Sequence, residues 1–194
     1  MRSRIAIVAA AWATSRLLVA ATWLACGMGW FDRIDTRLSQ RARGLLLWDG
    51  SYYRGLATLG YDGSAAAVRR FFPLFPLLGR GVGVLLFGHP ELGLVVVANL
   101  SAFAAMWLLH ALVEDVVGDA GLAARSVWWL ALIPSGAILV MGYAEALALA
   151  LSLAAVVLLR RRSFLWATLA GIGAGLTRPT GVLLAIALAG CVWS

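Results

Sequence analysis

The chain has 194 residues, of which 62% are apolar and only 13% are charged, and its mean hydropathy is +0.90. A soluble domain carries about a quarter charged residues, so this composition excludes an ordinary soluble domain and indicates an integral membrane protein. The net charge of +7 comes from 16 basic residues, all of them arginine. Because the arginines lie mostly in loops and at helix ends, the expected anions are membrane lipids or phosphorylated lipid substrates, and no nucleic-acid partner is expected.

The first apolar segment runs from about residue 5 to 26. It is long enough to cross a hydrocarbon core, which takes about 20 apolar residues. No clear small-x-small cleavage site precedes Trp30, so we interpret it as a retained helix and not as a signal peptide. Arg16 falls near its middle, where a charge costs roughly 3 kcal/mol on insertion scales. Arg16 should therefore face protein or a polar cavity, and functional and structural roles for it are equally open.

A long polar loop follows over residues 27–70. Charges of alternating sign recur at helical spacings between Asp32 and Arg43, which predicts a short interfacial helix. Residues 48–61 form a second helical pattern, which ends in a glycine-rich turn. The loop thus carries two juxtamembrane helices.

Further apolar segments predict an all-α, polytopic transmembrane helix bundle. Residues 71–87 begin with prolines and either cross the membrane thinly or lie at its surface. The later spans are predicted over residues 92–113, 126–141, 144–159, 164–176 and from 182 onward. The span over 126–141 contains Pro134, which neighbouring helices can tolerate in a membrane. We expect one domain over 1–194 with about six or seven membrane helices. Because the chain stops inside an apolar run, we also expect it to be the N-terminal part of a longer protein.

The arginine cluster at 160–162 sets the expected orientation. If it marks the cytoplasmic side, the turn at 142–145 lies on the opposite face. If 71–87 only lies at the interface, the loop over 27–70 is external as well and the N-terminus is cytoplasmic. The many loop arginines argue for the reverse placement. We choose the external loop on the resemblance that follows.

Two motifs, WDGSYYRGLATLGYDG at 48–63 and RRFFPLFPLLGR at 69–80, resemble the signature of the PIG-V-like mannosyltransferases. These enzymes belong to the class C (GT-C) superfamily of polytopic membrane glycosyltransferases. The resemblance continues loosely through Asn99, Pro134, the GYAE stretch and Arg178 with Gly181. Ala144 replaces the usual serine of that stretch, and the family's later helices have no counterpart here.

The resemblance implies a GT-C-like fold and a glycosyltransferase that moves a sugar, by analogy mannose, from a polyprenyl-phosphate donor to a lipid or glycan acceptor. The expected location is a bacterial plasma membrane, with the active site on the non-cytoplasmic face. Such inverting transfer needs a base for the acceptor hydroxyl, and Asp49 suits that role. A phosphate leaving group needs arginine more than a metal, so no cofactor is expected, although a divalent metal stays open.

Asp49 and Glu145 are the catalytic candidates. Asp49 has an alternative role as the N-cap of the next helix, and Glu145 as a helix-start carboxylate favoured by the dipole. Arg178 either grips the donor phosphate or anchors the chain at the interface. The substrate-binding candidates are Trp48, Tyr52, Tyr53, Arg69, Arg70, Tyr143 and Arg178.

Two other functions stay open. A lipid or small-anion transporter or flippase could use Arg16, Asp49 and Glu145 as buried polar groups. The second alternative is that the chain is a truncated, non-catalytic remnant. We find no internal repeat, and the charges concentrate in one loop and at helix ends, which favours the enzyme. The two histidines, His89 and His110, lack metal-ligand spacing and are interpreted as structural.

Overall fold

The computed structural model describes residues 2–27, 44–64 and 66–181, and within these ranges the chain is helical with no strand. The α-helices are α1 Arg2–Gly27, α2 Asp49–Leu59, α3 Leu74–Leu85, α4 Pro90–Val117, α5 Ala120–Leu132, α6 Glu145–Arg160 and α7 Phe164–Thr177. Short 3-10 helices cover Gly44–Leu46, Ala66–Val68 and Pro134–Leu139. The all-α prediction is therefore confirmed. The predicted interfacial helix between Asp32 and Arg43 and the predicted last span lie outside the described residues.

Within the described ranges, two helices are long and apolar enough to cross a membrane: the stretch Ser3–Ala25 of α1 and the whole of α4. Their mean hydropathies are 1.7 and 2.1. Helices α3 and α7 are apolar but shorter. Together with the composition, the two long helices indicate membrane association.

The region around Pro134 differs from the prediction. Helix α5 begins at Ala120, where Asp119 caps it by accepting from the backbone N–H groups of Gly121 at 2.7 Å and Leu122 at 2.9 Å. It ends at Leu132, and Ile133 adopts φ −58° and ψ 137°. This is the extended conformation imposed on a residue before proline. The helix does not continue through Pro134, and a 3-10 turn follows.

Helices α3 and α4 form an antiparallel hairpin whose backbones touch. A Cβ built on Gly93 of α4 would lie 2.0 Å from the Gly79 carbonyl oxygen and 2.7 Å from the Gly83 nitrogen of α3. A helix of 12 residues is about 18 Å long at 1.5 Å per residue, well short of a hydrocarbon core of about 30 Å. These features favour the alternative in which 71–87 does not cross the membrane.

Ion pairs and hydrogen bonds distinguish the two ends of the bundle. At one end, Arg4 pairs with Glu114, and Arg160 with Asp115 at 2.8 Å. At the other end, the Gly142 N–H donates to the Leu45 carbonyl at 2.9 Å. The part of the polar loop around Leu45 therefore lies against the turn at 142–145, on the same side of the bundle.

The largest core cluster sits beneath that turn and joins α2, α3, α4 and α6. Its buried members are Leu46, Tyr53, Ala57, Phe75, Leu94, Val97, Ala98, Ala144 and Leu147. This cluster fixes α2 against the rest of the bundle.

Candidate functional site

A tight turn places Asp49 at the start of α2. The Gly50 N–H donates to the Leu47 carbonyl at 2.9 Å, and Trp48 between them has φ 44° and ψ −116°. These angles match the first central position of a type II′ turn, where glycine is usual. Trp48 is therefore in a strained backbone conformation. The Ser51 hydroxyl stabilises the turn by donating to the Trp48 carbonyl at 2.6 Å.

Asp49 is the first residue of α2, and Trp48 occupies the N-cap position without a side-chain hydrogen bond. Among the described residues, none donates a hydrogen bond to the Asp49 carboxylate. The alternative that Asp49 caps this helix is therefore not supported, because its carboxylate accepts no described backbone N–H. Asp49 is half-buried.

Tyr143 holds this turn from the opposite side. Its hydroxyl donates to the Leu47 carbonyl at 2.9 Å. Its ring lies so close to Gly50 that a Cβ there would be 3.2 Å from the ring. Burial, with the nearby Asp49 carboxylate as the next cause, raises the pKa of Tyr143 to about 12. The phenol is therefore a neutral donor at physiological pH, and its described bond orients the backbone next to Asp49.

Glu145 and Arg178 form an ion pair across two helices. Glu145 is the first residue of α6, and Arg178 directly follows α7. One guanidinium nitrogen of Arg178 donates to Oε1 of Glu145. The side chains remain 28% and 35% exposed, respectively. The second oxygen of Glu145, Oε2, is buried, and no described group hydrogen-bonds to it.

Tyr53 of α2 lies close enough to this ion pair and to Asp49 for their charges to affect its pKa. It is buried, and its ring makes edge-on contacts with Phe71 and Phe75, at 5.0 Å between centroids in each case. Burial raises the pKa of Tyr53, and the negative charges of Glu145 and Asp49 raise it further. The structure thus brings five predicted site residues together, and we call them the acidic cluster: Asp49, Tyr53, Tyr143, Glu145 and Arg178.

The other four predicted site residues lie at the rim or on the surface. Trp48 is 64% exposed and Tyr52 is 42% exposed, and Tyr52 contacts the Phe71 ring at 5.3 Å. Arg70 is exposed, with its guanidinium 5.8 Å from the Phe71 ring centre. Arg69 is also exposed, and no described residue forms a hydrogen bond or an ion pair with its side chain. Phe71 therefore links Tyr52 and Arg70 to the acidic cluster.

Arg16 faces protein, and its position beside Asn99 was not predicted. Its guanidinium donates to Asn99 Oδ1 at 2.9 Å and to the Leu139 carbonyl at 3.0 Å. The Asn99 amide donates in turn to the carbonyls of Val95 at 2.8 Å and Val140 at 3.1 Å. These bonds tie α1 to α4 and to the segment that leads into Tyr143. The signal was available, because Asn99 is the one asparagine in the sequence and lies in an apolar segment.

Within the described part of the chain, no three histidine, cysteine or acidic side chains are grouped as metal ligands. His89 contacts Glu91 at 3.0 Å, and the buried His110 lies 3.5 Å from Glu114 at the far end of the bundle. Comparisons with protein-family models, curated proteins and solved structures find no match to this chain.

Proposed function

We propose that the chain is a multi-pass membrane glycosyltransferase with a GT-C-like helix bundle. It transfers a sugar, mannose by the motif resemblance, from a polyprenyl-phosphate donor to a lipid or glycan acceptor. The active site faces the non-cytoplasmic side of a bacterial plasma membrane. The observation that carries this proposal is the acidic cluster, in which the Asp49 carboxylate has no described hydrogen-bond partner and, like the ion pair of Glu145 with Arg178, lies close enough to Tyr53 to affect the pKa of that phenol.

Asp49 acts as the general base. As the acceptor oxygen bonds to the anomeric carbon, its proton passes to the Asp49 carboxylate, and the bond from that carbon to the phosphate oxygen breaks. The donor leaves as polyprenyl phosphate, and the configuration at the anomeric carbon inverts. The strained backbone at Trp48 and the hydroxyl of Tyr143 support this role, because together they fix where the carboxylate lies.

Arg178 receives the phosphate charge. Its described hydrogen bond to Glu145 uses one of five N–H donors, and a guanidinium can fork onto two phosphate oxygens with those that remain. Glu145 keeps the guanidinium in place through Oε1. Its buried Oε2 accepts a hydrogen bond from an acceptor hydroxyl, which would satisfy a group that is costly to bury unpaired.

The transporter alternative draws no support from Arg16. A substrate pathway through the membrane needs polar groups that line an open cavity. The Arg16 guanidinium is instead bonded to Asn99, Leu139 and Ser15, the last at 2.9 Å, and it lies over the Trp12 ring at 4.5 Å. These contacts support a structural role for Arg16 in packing α1.

The decisive experiment compares Asp49→Asn with Asp62→Asn in membranes that express the full chain. Asp62 is an exposed acid in the same loop, so its variant makes the same change outside the cluster. With polyprenyl-phosphate mannose as the donor, Asp49→Asn should lower transfer by about 10²–10⁴-fold, the contribution of a general base, at unchanged expression. Asp62→Asn should transfer at the wild-type rate. Persistent transfer by Asp49→Asn removes the base assignment.

Topology is tested separately by thiol labelling. In a chain whose two native cysteines are replaced, Asp62→Cys and Arg161→Cys place single thiols at opposite ends of the bundle. A membrane-impermeant reagent applied to intact cells should label position 62 and should spare position 161. Labelling of 161 in place of 62 would put the cluster on the cytoplasmic face and exclude this donor chemistry there.

A further inference from the structure

A cavity opens between α4 and α6 at the end of the bundle opposite the acidic cluster. Its volume is about 190 Å³, far more than the roughly 10–15 Å³ that one water requires. Along α6 it lies about 22 Å from Glu145, since 15 residues separate Glu145 from Arg160 at a rise of 1.5 Å. The lining residues are Ala111, Leu112, Asp115, Val157, Arg160 and Arg161. The cavity therefore has an apolar wall and a charged mouth.

Positive charge is in excess at this mouth. Three carboxylates at this end are matched by arginines in the pairs Arg4–Glu114, Arg160–Asp115 and Arg125–Asp119. Arg161 and Arg162 have no carboxylate partner among the described residues. Arg161 lines the cavity, and Arg162 follows it directly in the chain. Unmatched positive charge at a mixed apolar and polar cavity is complementary to an anion that carries its own apolar part.

Arg162 occupies a backbone position that ordinarily takes glycine. Its φ is 58°. Its N–H donates to the Leu159 carbonyl at 2.8 Å, and the next N–H, of Ser163, donates to the Leu158 carbonyl at 2.9 Å. These two bonds form a Schellman motif, in which the left-handed residue is usually glycine. Arginine in this left-handed conformation is strained, whereas glycine is not. Arg162→Gly would therefore remove the charged side chain and relieve the backbone strain at the same time.

We propose that this cavity binds the headgroup of an anionic phospholipid. The phosphate lies between the guanidinium groups of Arg160 and Arg161, with Arg162 beside them, where forked hydrogen bonds are possible. The glycerol and the first acyl carbons lie against Ala111, Leu112 and Val157. Basic pockets between membrane helices suit this class of lipid. The inference is independent of the glycosyl-transfer proposal, because it concerns the other end of the bundle.

Binding is tested by native mass spectrometry of the purified full chain in detergent, with phosphatidylglycerol and phosphatidylcholine as probes. The wild type should retain phosphatidylglycerol in preference to phosphatidylcholine. Arg161→Gln and Arg162→Gly should each weaken phosphatidylglycerol binding by roughly fivefold, as expected for one arginine near a lipid surface. Arg125→Gln removes the same charge from the same end outside the cavity and should change binding less than twofold. Equal losses in all three variants would overturn the proposal.

A second pair of variants tests whether removing a negative charge at the cavity mouth strengthens lipid binding. Asp115→Asn removes the carboxylate at the cavity mouth and releases Arg160, so it should tighten phosphatidylglycerol binding. Asp119→Asn makes the same charge change outside the cavity, and asparagine caps a helix as well as aspartate does. It should leave binding unchanged. Equal tightening by both variants would indicate a general surface charge effect and would overturn the cavity site.

Two further measurements test whether loss of binding comes from misfolding and whether the cavity recognises free phosphate instead of a lipid. Arg162→Gly should unfold at a temperature equal to or above that of the wild type, since glycine relieves the left-handed backbone. A lower unfolding temperature would attribute its loss of binding to structure and remove that support. Inorganic phosphate at millimolar concentration should not displace phosphatidylglycerol. Full displacement would show that the cavity recognises phosphate alone and would overturn the lipid assignment.

Discussion

Gly93→Ala tests the backbone contact between α3 and α4. The added Cβ would lie 2.0 Å from the Gly79 carbonyl oxygen, whereas ordinary contact begins at 3.4 Å. The two helices must therefore separate locally by about 1.4 Å, the difference between these two distances. Backbone atoms cannot rotate away as a side chain can. We therefore expect a loss of about 1–3 kcal/mol in the free energy of unfolding, the range for overpacked interiors.

Gly81→Ala is the matched control on the same hairpin. A Cβ at Gly81 meets nothing within 4 Å. Alanine should therefore raise the helical stability of α3 by about 0.5–1 kcal/mol, because glycine loses more backbone entropy in a helix. The same substitution is thus expected to have opposite signs at two positions of one hairpin.

Thermal unfolding of the detergent-solubilised full chain, followed by circular dichroism, measures both effects. Transfer activity adds a second readout, because α3 carries Phe75, which packs on Tyr53 of the acidic cluster. Gly93→Ala should unfold at a lower temperature and transfer more slowly, and Gly81→Ala should do neither. If Gly93→Ala unfolded at or above the wild-type temperature, the two backbones would not be in contact and the reasoning would fail.

Four further variants address the acidic cluster and the turn that precedes it. Trp48→Ala and Trp48→Gly both remove the indole. Because φ is 44° at this position, the glycine variant should be more stable than the alanine variant by about 1 kcal/mol. If the alanine variant unfolded at the higher temperature, the turn would not be strained. Tyr143→Phe removes the hydrogen bond to the Leu47 carbonyl, so it should lower the free energy of unfolding by about 1 kcal/mol and slow transfer. If stability and the transfer rate were both unchanged, the phenol would not position Asp49. Glu145→Gln keeps one oxygen to accept from Arg178 but replaces the other oxygen with an NH₂ group. The KM for the acceptor substrate should therefore rise, and the KM for the sugar donor should stay the same. A rise in the KM for the sugar donor alone would show that Glu145 acts only by holding Arg178.

The sequence predicted the helical class because apolar runs and composition depend on local residues alone. Helices α1, α4, α6 and α7 lie within a few residues of the predicted segments. The α5 region was harder, because a proline in an apolar run is compatible with either a kinked helix or a break. Packing decides between these outcomes, and packing is not visible in a pattern of hydrophobicity.

The site was predicted as residues and not as an arrangement. The motifs indicated Asp49, Glu145 and Arg178, but they gave no reason to pair the last two, which lie 33 residues apart. The bond from Tyr143 to the Leu47 carbonyl spans 96 residues and ends on a backbone atom, so side-chain chemistry could not indicate it. Arg16 was expected to face protein, and Asn99 was noted only through the resemblance. The hydrogen bond between Arg16 and Asn99 became visible only in the three-dimensional structure.

The charge of the acidic cluster explains why the rim arginines matter to the proposed function. Two carboxylates, Asp49 and Glu145, against one guanidinium, Arg178, leave a net charge of −1 in their ionised forms. A donor phosphate would add to this negative charge, so Arg178 alone cannot make the site attractive to it. The exposed Arg69 and Arg70 add two positive charges, the latter beside Phe71, and change the sum over these five groups from −1 to +1. In the proposed function, the rim arginines would therefore attract the donor phosphate and Arg178 would orient it.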